Sequence, residues 1–203
     1  MEDYRYEFIA PNEMMDIHLE FSIDPGQSVI NKHYHDWIKI IYLIHGDLEV
    51  QINNRTRNLK RNEFIVINPM TIHSTRCLNG NTAILLQIPL AFLEKFVPDI
   101  REYNFYVDLD SEDARVQTKI ANIRSTLEDL WITYQFQVEG YVFRCYSLIF
   151  ELIYILIHSF SQKVDRKELK KNQKNLERLQ TIINYVRENY KEPISIPEIA
   201  GEV

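Results

Sequence analysis

Two stretches decide the fold: Gly26 through His33-Tyr34-His35-Asp36-Trp37-Ile38-Lys39 to Gly46, then Asn62 with Pro69-Met70-Thr71-Ile72-His73. Side chains at i and i+2 of a strand point to the same face, so His33 and His35 enter one space together. His73 follows the proline that ends the apolar run Phe64-Ile65-Val66-Ile67. Three imidazoles that meet inside a barrel can hold a metal or line the wall of a small-molecule pocket. The first outcome leads to an enzyme and the second to a sensor.

Around these stretches the pattern is that of an α+β chain whose first half is rich in strands. Ile17 to Ile23 alternates apolar and polar residues, the period of a half-buried strand. Asp24-Pro25-Gly26 is a turn. Lys39–Ile44 and Leu48–Ile52 flank His45-Gly46-Asp47, and Asn53-Asn54 turns the chain into Arg55–Leu59. Phe64–Ile67 and Thr82–Ile88 complete a set of short strands, which predicts a barrel or jelly roll over residues 1–110.

From residue 111 the period changes. Val116, Ile120, Ile123, Leu127 and Leu130 recur at spacings of four and three, one face of a helix, with Asp110 or Ser111 as its cap. After Glu139-Gly140 a more apolar helix runs from Tyr141 to Phe160 and pairs antiparallel with the first. It is long enough to span a bilayer, but Glu151 near its centre costs about 2.5–3.5 kcal/mol there, so a buried helix is expected and no membrane partner. The second helix is apolar nearly all round, so residues 111–160 are expected to bury one side on the sheet and another within the pair or on a second protomer, a helical dimerisation segment in the latter case with Leu127, Leu130, Phe150, Ile153 and Ile157 as candidate dimer contacts.

Residues 161–175 are polar and charged and read as a linker. Residues 163–178 carry seven basic and three acidic side chains, while the whole chain is −6, which argues against a general nucleic-acid surface. Leu176 to Tyr190 is a third amphipathic helix, ended by Pro193. Ser195-Ile196-Pro197-Glu198 fits a capping box that opens another helix, and a further domain is expected to follow. The two cysteines, Cys77 and Cys145, make no disulfide framework. The charged start Met1-Glu2-Asp3-Tyr4-Arg5 has no apolar run of a signal peptide, so a cytoplasmic location is expected.

Gly26, His33, His35 and Gly46, then Asn62, Pro69 and His73, resemble the two motifs of the cupin barrel. The resemblance departs from its pattern at two places. Lys39 stands where the first motif has a glutamate, and a protonated lysine is no metal ligand. Asn62 replaces a turn glycine, a mild change because asparagine tolerates positive φ. The tail from Ile182 to Tyr190 with Pro193-Ile194-Ser195-Ile196-Pro197-Glu198-Ile199-Ala200 resembles the opening of the DNA-binding domain of AraC-family transcription regulators.

The combined resemblance implies a cupin-like barrel, an antiparallel helix pair and, in residues 176–203, the beginning of a helix-turn-helix domain. It implies a non-enzymatic protein that senses a small-molecule effector, forms a homodimer and touches DNA only through the following domain, with no DNA contact in this chain. The expected effector wall is His33, His35, Trp37, Tyr42 and His73, closed by an N-terminal arm through Tyr6 and Phe8. No cofactor and no metal belong to this reading. The alternative is a metal-dependent cupin dioxygenase or isomerase with His33, His35 and His73 as ligands.

Overall fold

The computed structural model describes residues 5–164 and, beyond them, residues 174, 178, 181, 182 and 185, which are helical. The strands are β1 (Arg5–Tyr6), β2 (His18–Asp24), β3 (Ser28–Tyr34), β4 (Trp37–Gly46), β5 (Leu48–Ile52), β6 (Arg55–Leu59), β7 (Phe64–Ile67), β8 (His73–Cys77), β9 (Asn81–Pro89), β10 (Tyr103–Phe105) and β11 (Ser161–Lys163). The helices are α1 (Leu90–Leu93), α2 (Ala114–Phe136) and α3 (Tyr141–Phe160).

One sheet has the order β1-β3-β8-β5-β6 and the other β2-β9-β4-β7. From β2 to β9 the chain passes repeatedly between them, the connectivity of a jelly roll. All pairs are antiparallel except β1 on β3. The β5, β6 and β7 bounds coincide with those expected from the alternation. β4 and β9 run longer than expected by one to two residues at each end.

The second sheet is apolar on both faces. Ile38, Ile40 and Tyr42 of β4, Phe64 and Val66 of β7 and Ile84, Leu86 and Ile88 of β9 meet the helices. Ile41, Leu43, Ile67 and Ala83 point the other way and join Leu48, Val50, Leu59 and Cys77 of the first sheet inside the barrel. Burying one such aliphatic side chain contributes about 1.5–3 kcal/mol, so both layers hold the barrel.

The helices lie on the outer face of that sheet. Ile120, Ile123, Leu127 and Leu130 of α2 are buried, as the period predicts. The cap differs from the expected one. Asp113 accepts from the Arg115 amide at 2.8 Å, while Ser111 sits upstream and its hydroxyl accepts from the Asp113 amide. Gln137 and Gly140, both left-handed, turn the chain into α3, and the Tyr134–Tyr141 and Asp129–Arg144 contacts make the pair antiparallel.

α3 is long and apolar enough to cross a membrane by length and composition. Its Leu148, Ile149, Leu152, Ile153, Ile155 and Leu156 nonetheless lie in the protein core, with exposed Glu151 opposite.

A tight approach and a left-handed turn close the end of the barrel far from the histidines. Gly46 has φ 83°, and a Cβ there would meet the Gly80 carbonyl oxygen at 2.1 Å, so only glycine fits. Asn62 takes φ 64°, as its place in the motif requires, and donates its amide to the Leu43 carbonyl.

The expected linker begins differently. Ser161–Lys163 is not a linker but β11, paired with β10, and the Asn68 side-chain amide ties β10 to the barrel, donating to the Phe105 carbonyl and accepting from the Phe105 amide. A charged composition does not prevent pairing on an edge, where the side chains stay in water. The rest of the linker, most of the third helix and the capping box at Ser195 lie outside the described residues.

Candidate ligand centre of the barrel

The register builds the centre. His33 of β3 pairs directly with His73 of β8, so their rings stand 4.1 Å apart. His35 follows β3 by one residue and brings its ring to 4.9 Å from His73 and 6.1 Å from His33. The loop at His35 is fixed twice. Its carbonyl accepts from the Met70 amide, and Asp36 is held by both oxygens on Arg101, at 3.0 and 3.1 Å. All three imidazoles are buried, and one ligand nitrogen from each lies within 4.8 Å of the others.

Hydrogen bonding sets which nitrogen faces inward. His33 Nδ1 lies 2.8 Å from the Asn31 carbonyl oxygen and His73 Nδ1 2.9 Å from that of Thr71. A carbonyl only accepts, so each Nδ1 carries the proton and each Nε2 presents a lone pair. Both Nε2 atoms are buried without a partner, as are both ring nitrogens of His35. Burial and the nearby Lys39 charge push all three pKa values down, His35 to about 3 and His73 to about 2. The rings are therefore neutral at pH 7.

Lys39 shares this space. β4 places it on the inward face, beside Gln87 of β9, its cross-strand partner. Both are buried, and Gln87 Nε2 has no hydrogen-bond partner. Burial lowers the Lys39 pKa, opposed by the carboxylates of Glu7 and Glu20. Trp37 starts β4, half-buried, and by alternation shares the face of Lys39.

The other sequence-predicted residues are placed elsewhere. Tyr42 is not in the barrel interior. It lies on the helix face of β4 and donates its hydroxyl to Glu128 of α2. Both faces of β4 are apolar, so alternation alone does not say which is the inside. Tyr6 and Phe8 also face away. Tyr6 pairs with Tyr34 and packs on its ring at 5.6 Å, and Phe8 is 91% exposed. The arm residue that reaches the centre is Glu7, whose Oε2 stands 3.5 Å from His33 Nε2. The signal was parity: in a parallel pair with Arg5 opposite His33, residue 7 falls on the histidine side.

The expected dimer contacts divide similarly. Leu127, Leu130 and Ile153 are buried within this chain against the sheet and the other helix, so they are spent. Ile157 is half-buried and packs on the same core. Phe150 is partly exposed, stacking edge-on with Phe96 at 4.9 Å.

A family model described as Cupin domain matches residues 19–89, from β2 to β9. The chain carries a cupin domain. The match covers His33, His35, Lys39 and His73 and stops short of the arm. A conserved protein of unknown function from Streptococcus pyogenes is similar at 18% identity, over 38% of this chain and 68% of that one, with a TM-score of 0.35. A cupin-2 domain protein from Shewanella frigidimarina gives 18%, 37%, 72% and 0.33, and the Cnp3 cupin domain of Schizosaccharomyces pombe 12%, 43%, 66% and 0.38. No curated protein matches the chain.

Three neutral imidazoles with inward lone pairs, two of them pinned through Nδ1 to backbone carbonyls, are a donor set that fits a divalent metal such as zinc or iron. The 4.8 Å span must close to the roughly 3.4 Å edge of a tetrahedron with 2.1 Å bonds. His35 is the ring of the three whose nitrogens make no hydrogen bond, so its turning breaks none.

Proposed function

We propose that this cupin domain is the signal-receiving part of a transcription regulator of AraC type, and not an enzyme. The histidine end of the barrel takes the ligand. A ligand that binds one arrangement of arm and helices more tightly shifts the population toward it and re-presents the DNA-binding domain expected after residue 176. One observation carries the ligand site: His33 Nε2, His73 Nε2 and both nitrogens of His35 converge at one end of the barrel, and they and Gln87 Nε2, across from Lys39, are buried without hydrogen-bond partners. Each buried unpaired polar group costs about 1–3 kcal/mol, and a ligand that supplies the missing partners recovers it. The regulatory part rests on the sequence of the tail.

Dimerisation belongs to the same proposal, with a revised face. Once the core has taken Leu127, Leu130 and Ile153, α3 still exposes Phe143, Phe150 and Tyr154, spaced as one stripe. A second copy of the chain is the partner assigned to it.

A metabolite screen by thermal shift tests the sensor. A ligand at 100 times its dissociation constant stabilises by about 2.7 kcal/mol. That raises Tm by about 5–10 °C for a domain of this size. The shift should vanish in Gln87→Leu and His73→Ala. A second reading, a metal-dependent oxygenase or isomerase, is favoured by the convergence of the three imidazoles. A metal held there supplies Lewis acidity or oxygen chemistry. Turnover of a compound found in the screen, lost with His33→Ala, would replace the sensor reading with this one.

A further inference from the structure

Among the described residues the inward face of the N-terminal arm carries one carboxylate, Glu7, and it ends at the histidine centre. Glu7 Oε2 is buried, has no hydrogen-bond partner and stands 3.5 Å from His33 Nε2, which has none either. A carboxylate oxygen and an unprotonated imidazole nitrogen are both acceptors, so nothing bonds them to each other. Two acceptors facing across 3.5 Å are held together by a shared proton, a water or a cation. A single ion with bonds of about 2.0–2.2 Å to each spans that gap.

The charge balance asks for the same carboxylate. Lys39 occupies the inward position on β4, and its charge reaches His33, His35 and His73. A divalent cation on the three rings alone would face that ammonium unopposed. The groups that oppose the Lys39 charge are Glu7 and Glu20. Glu20 is the more exposed of the two, 51% against 38% for Glu7, and is bonded to His18, whereas Glu7 stands beside His33, which leaves Glu7 as the carboxylate at the rings.

The arm that brings it is thinly held. β1 has two residues, followed by one further backbone bond from the Glu7 amide to the Tyr34 carbonyl. Tyr6 rests on Tyr34, and Phe8 is in water. Docking of such a strand is a low-stability equilibrium, easily biased by one strong bond.

We infer that Glu7 is the fourth ligand of a divalent-metal site whose other ligands are His33, His35 and His73, so that metal binding and docking of the N-terminal arm are one equilibrium. The cupin match begins after the arm, so this carboxylate comes from outside the matched barrel. The inference rests on the histidine centre being the ligand site, and it gives the sensor a moving part: a bound cation fastens β1 to β3, and loss of the cation frees it. By reciprocity, whatever holds the arm down tightens the site.

The test is Co²⁺ binding to the full chain, read by calorimetry and visible absorption, with hydrogen exchange of the Glu7 amide as the arm's reporter. Wild type should bind one Co²⁺ per chain and His73→Ala none. Glu7→Gln should bind about tenfold more weakly or worse, the order of loss seen when a supporting group of a metal site is removed. Co²⁺ should slow Glu7 amide exchange in the wild type and not in Glu7→Gln. Adding Lys39→Glu to Glu7→Gln should restore affinity, because a carboxylate then comes from β4, without restoring arm protection. Equal Co²⁺ affinity and equal exchange in wild type and Glu7→Gln overturns the inference and leaves a three-histidine site standing. Failure of the wild type to bind Co²⁺ also overturns it, while the sensor proposal still stands on the metabolite screen.

Discussion

The two faces of β4 carry the same kind of sequence to opposite ends. On the helix side, Ile38, Ile40 and Tyr42 are sealed against α2 and α3, and the Tyr42 hydroxyl has Glu128 as its partner. On the barrel side, Ile41 and Leu43 fill the far end, but Lys39 opens into a chamber where buried nitrogens stand without partners. A protein satisfies its buried polar groups wherever stability alone decides. Elsewhere among the described residues the exceptions are single guanidinium nitrogens, Arg57 Nε and Arg124 Nε, whereas six unpartnered atoms belong to Glu7, His33, His35, His73 and Gln87, and that concentration is what the proposed ligand site rests on.

The sharpest way to break this comparison is to truncate one residue on each side. Leu127 is fully buried on α2 against the sheet. Leu127→Ala should cost about 2–5 kcal/mol in chemical denaturation at pH 7.5. His73→Ala removes a buried ring of similar size, but it also removes an unpaired nitrogen, so its cost should stay within about 1–2 kcal/mol. Equal losses would mean that the chamber is ordinary core.

Much of this division was legible in the sequence, and the part that was not has a physical reason. Period and turn residues fixed β5, β6 and β7 and the buried face of α2, because those signals are local. The meeting of His33, His35 and His73 was also legible, since i, i+2 parity holds over so short a run. Tyr42 was misplaced because β4 is apolar on both sides, so its alternation names two faces without saying which is inside. Tyr6 and Phe8 are the aromatic rings of the arm, but the parallel register of β1 on β3, which no local pattern encodes, turns Glu7 and not them toward the histidines. Leu127 and Leu130 read equally well as core or interface, because an apolar stripe does not name its partner.

A second, smaller effect follows from protonation. The folded-state pKa values of His33, His35 and His73 lie below the usual imidazole value of 6.5, first through burial and then through Lys39. The unfolded chain takes up protons near pH 6.5 that the folded chain refuses. Stability from these rings is therefore complete above about pH 6.5 and falls below it, for His35 and His73 down to about pH 3, at up to about 1.4 kcal/mol per pH unit for each of those two. Between pH 6.5 and 4.5 the wild type should lose more stability than His73→Ala, measured by urea denaturation at each pH. If the two curves stay parallel, His73 is protonated in the folded chain and the chamber is wetter than its burial implies.

The smallest effect on stability belongs to the outer face of α3, a third kind of surface. Phe143, Phe150 and Tyr154 are exposed there, while the opposite side of the same helix lies in the core. If this stripe meets a second copy, its rings contribute little to the fold of one chain and much to association. Phe150 is partly covered by Phe92 and Phe96, so Phe150→Asp should lower monomer stability by only about 0.5–1 kcal/mol. In sedimentation, the same substitution should turn a dimer into a monomer, because it places a charge at the centre of the apolar stripe, where desolvating it has no compensating partner. A dimer that survives Phe150→Asp with unchanged affinity removes α3 from the interface, and the aromatic stripe then has to be explained within a single chain.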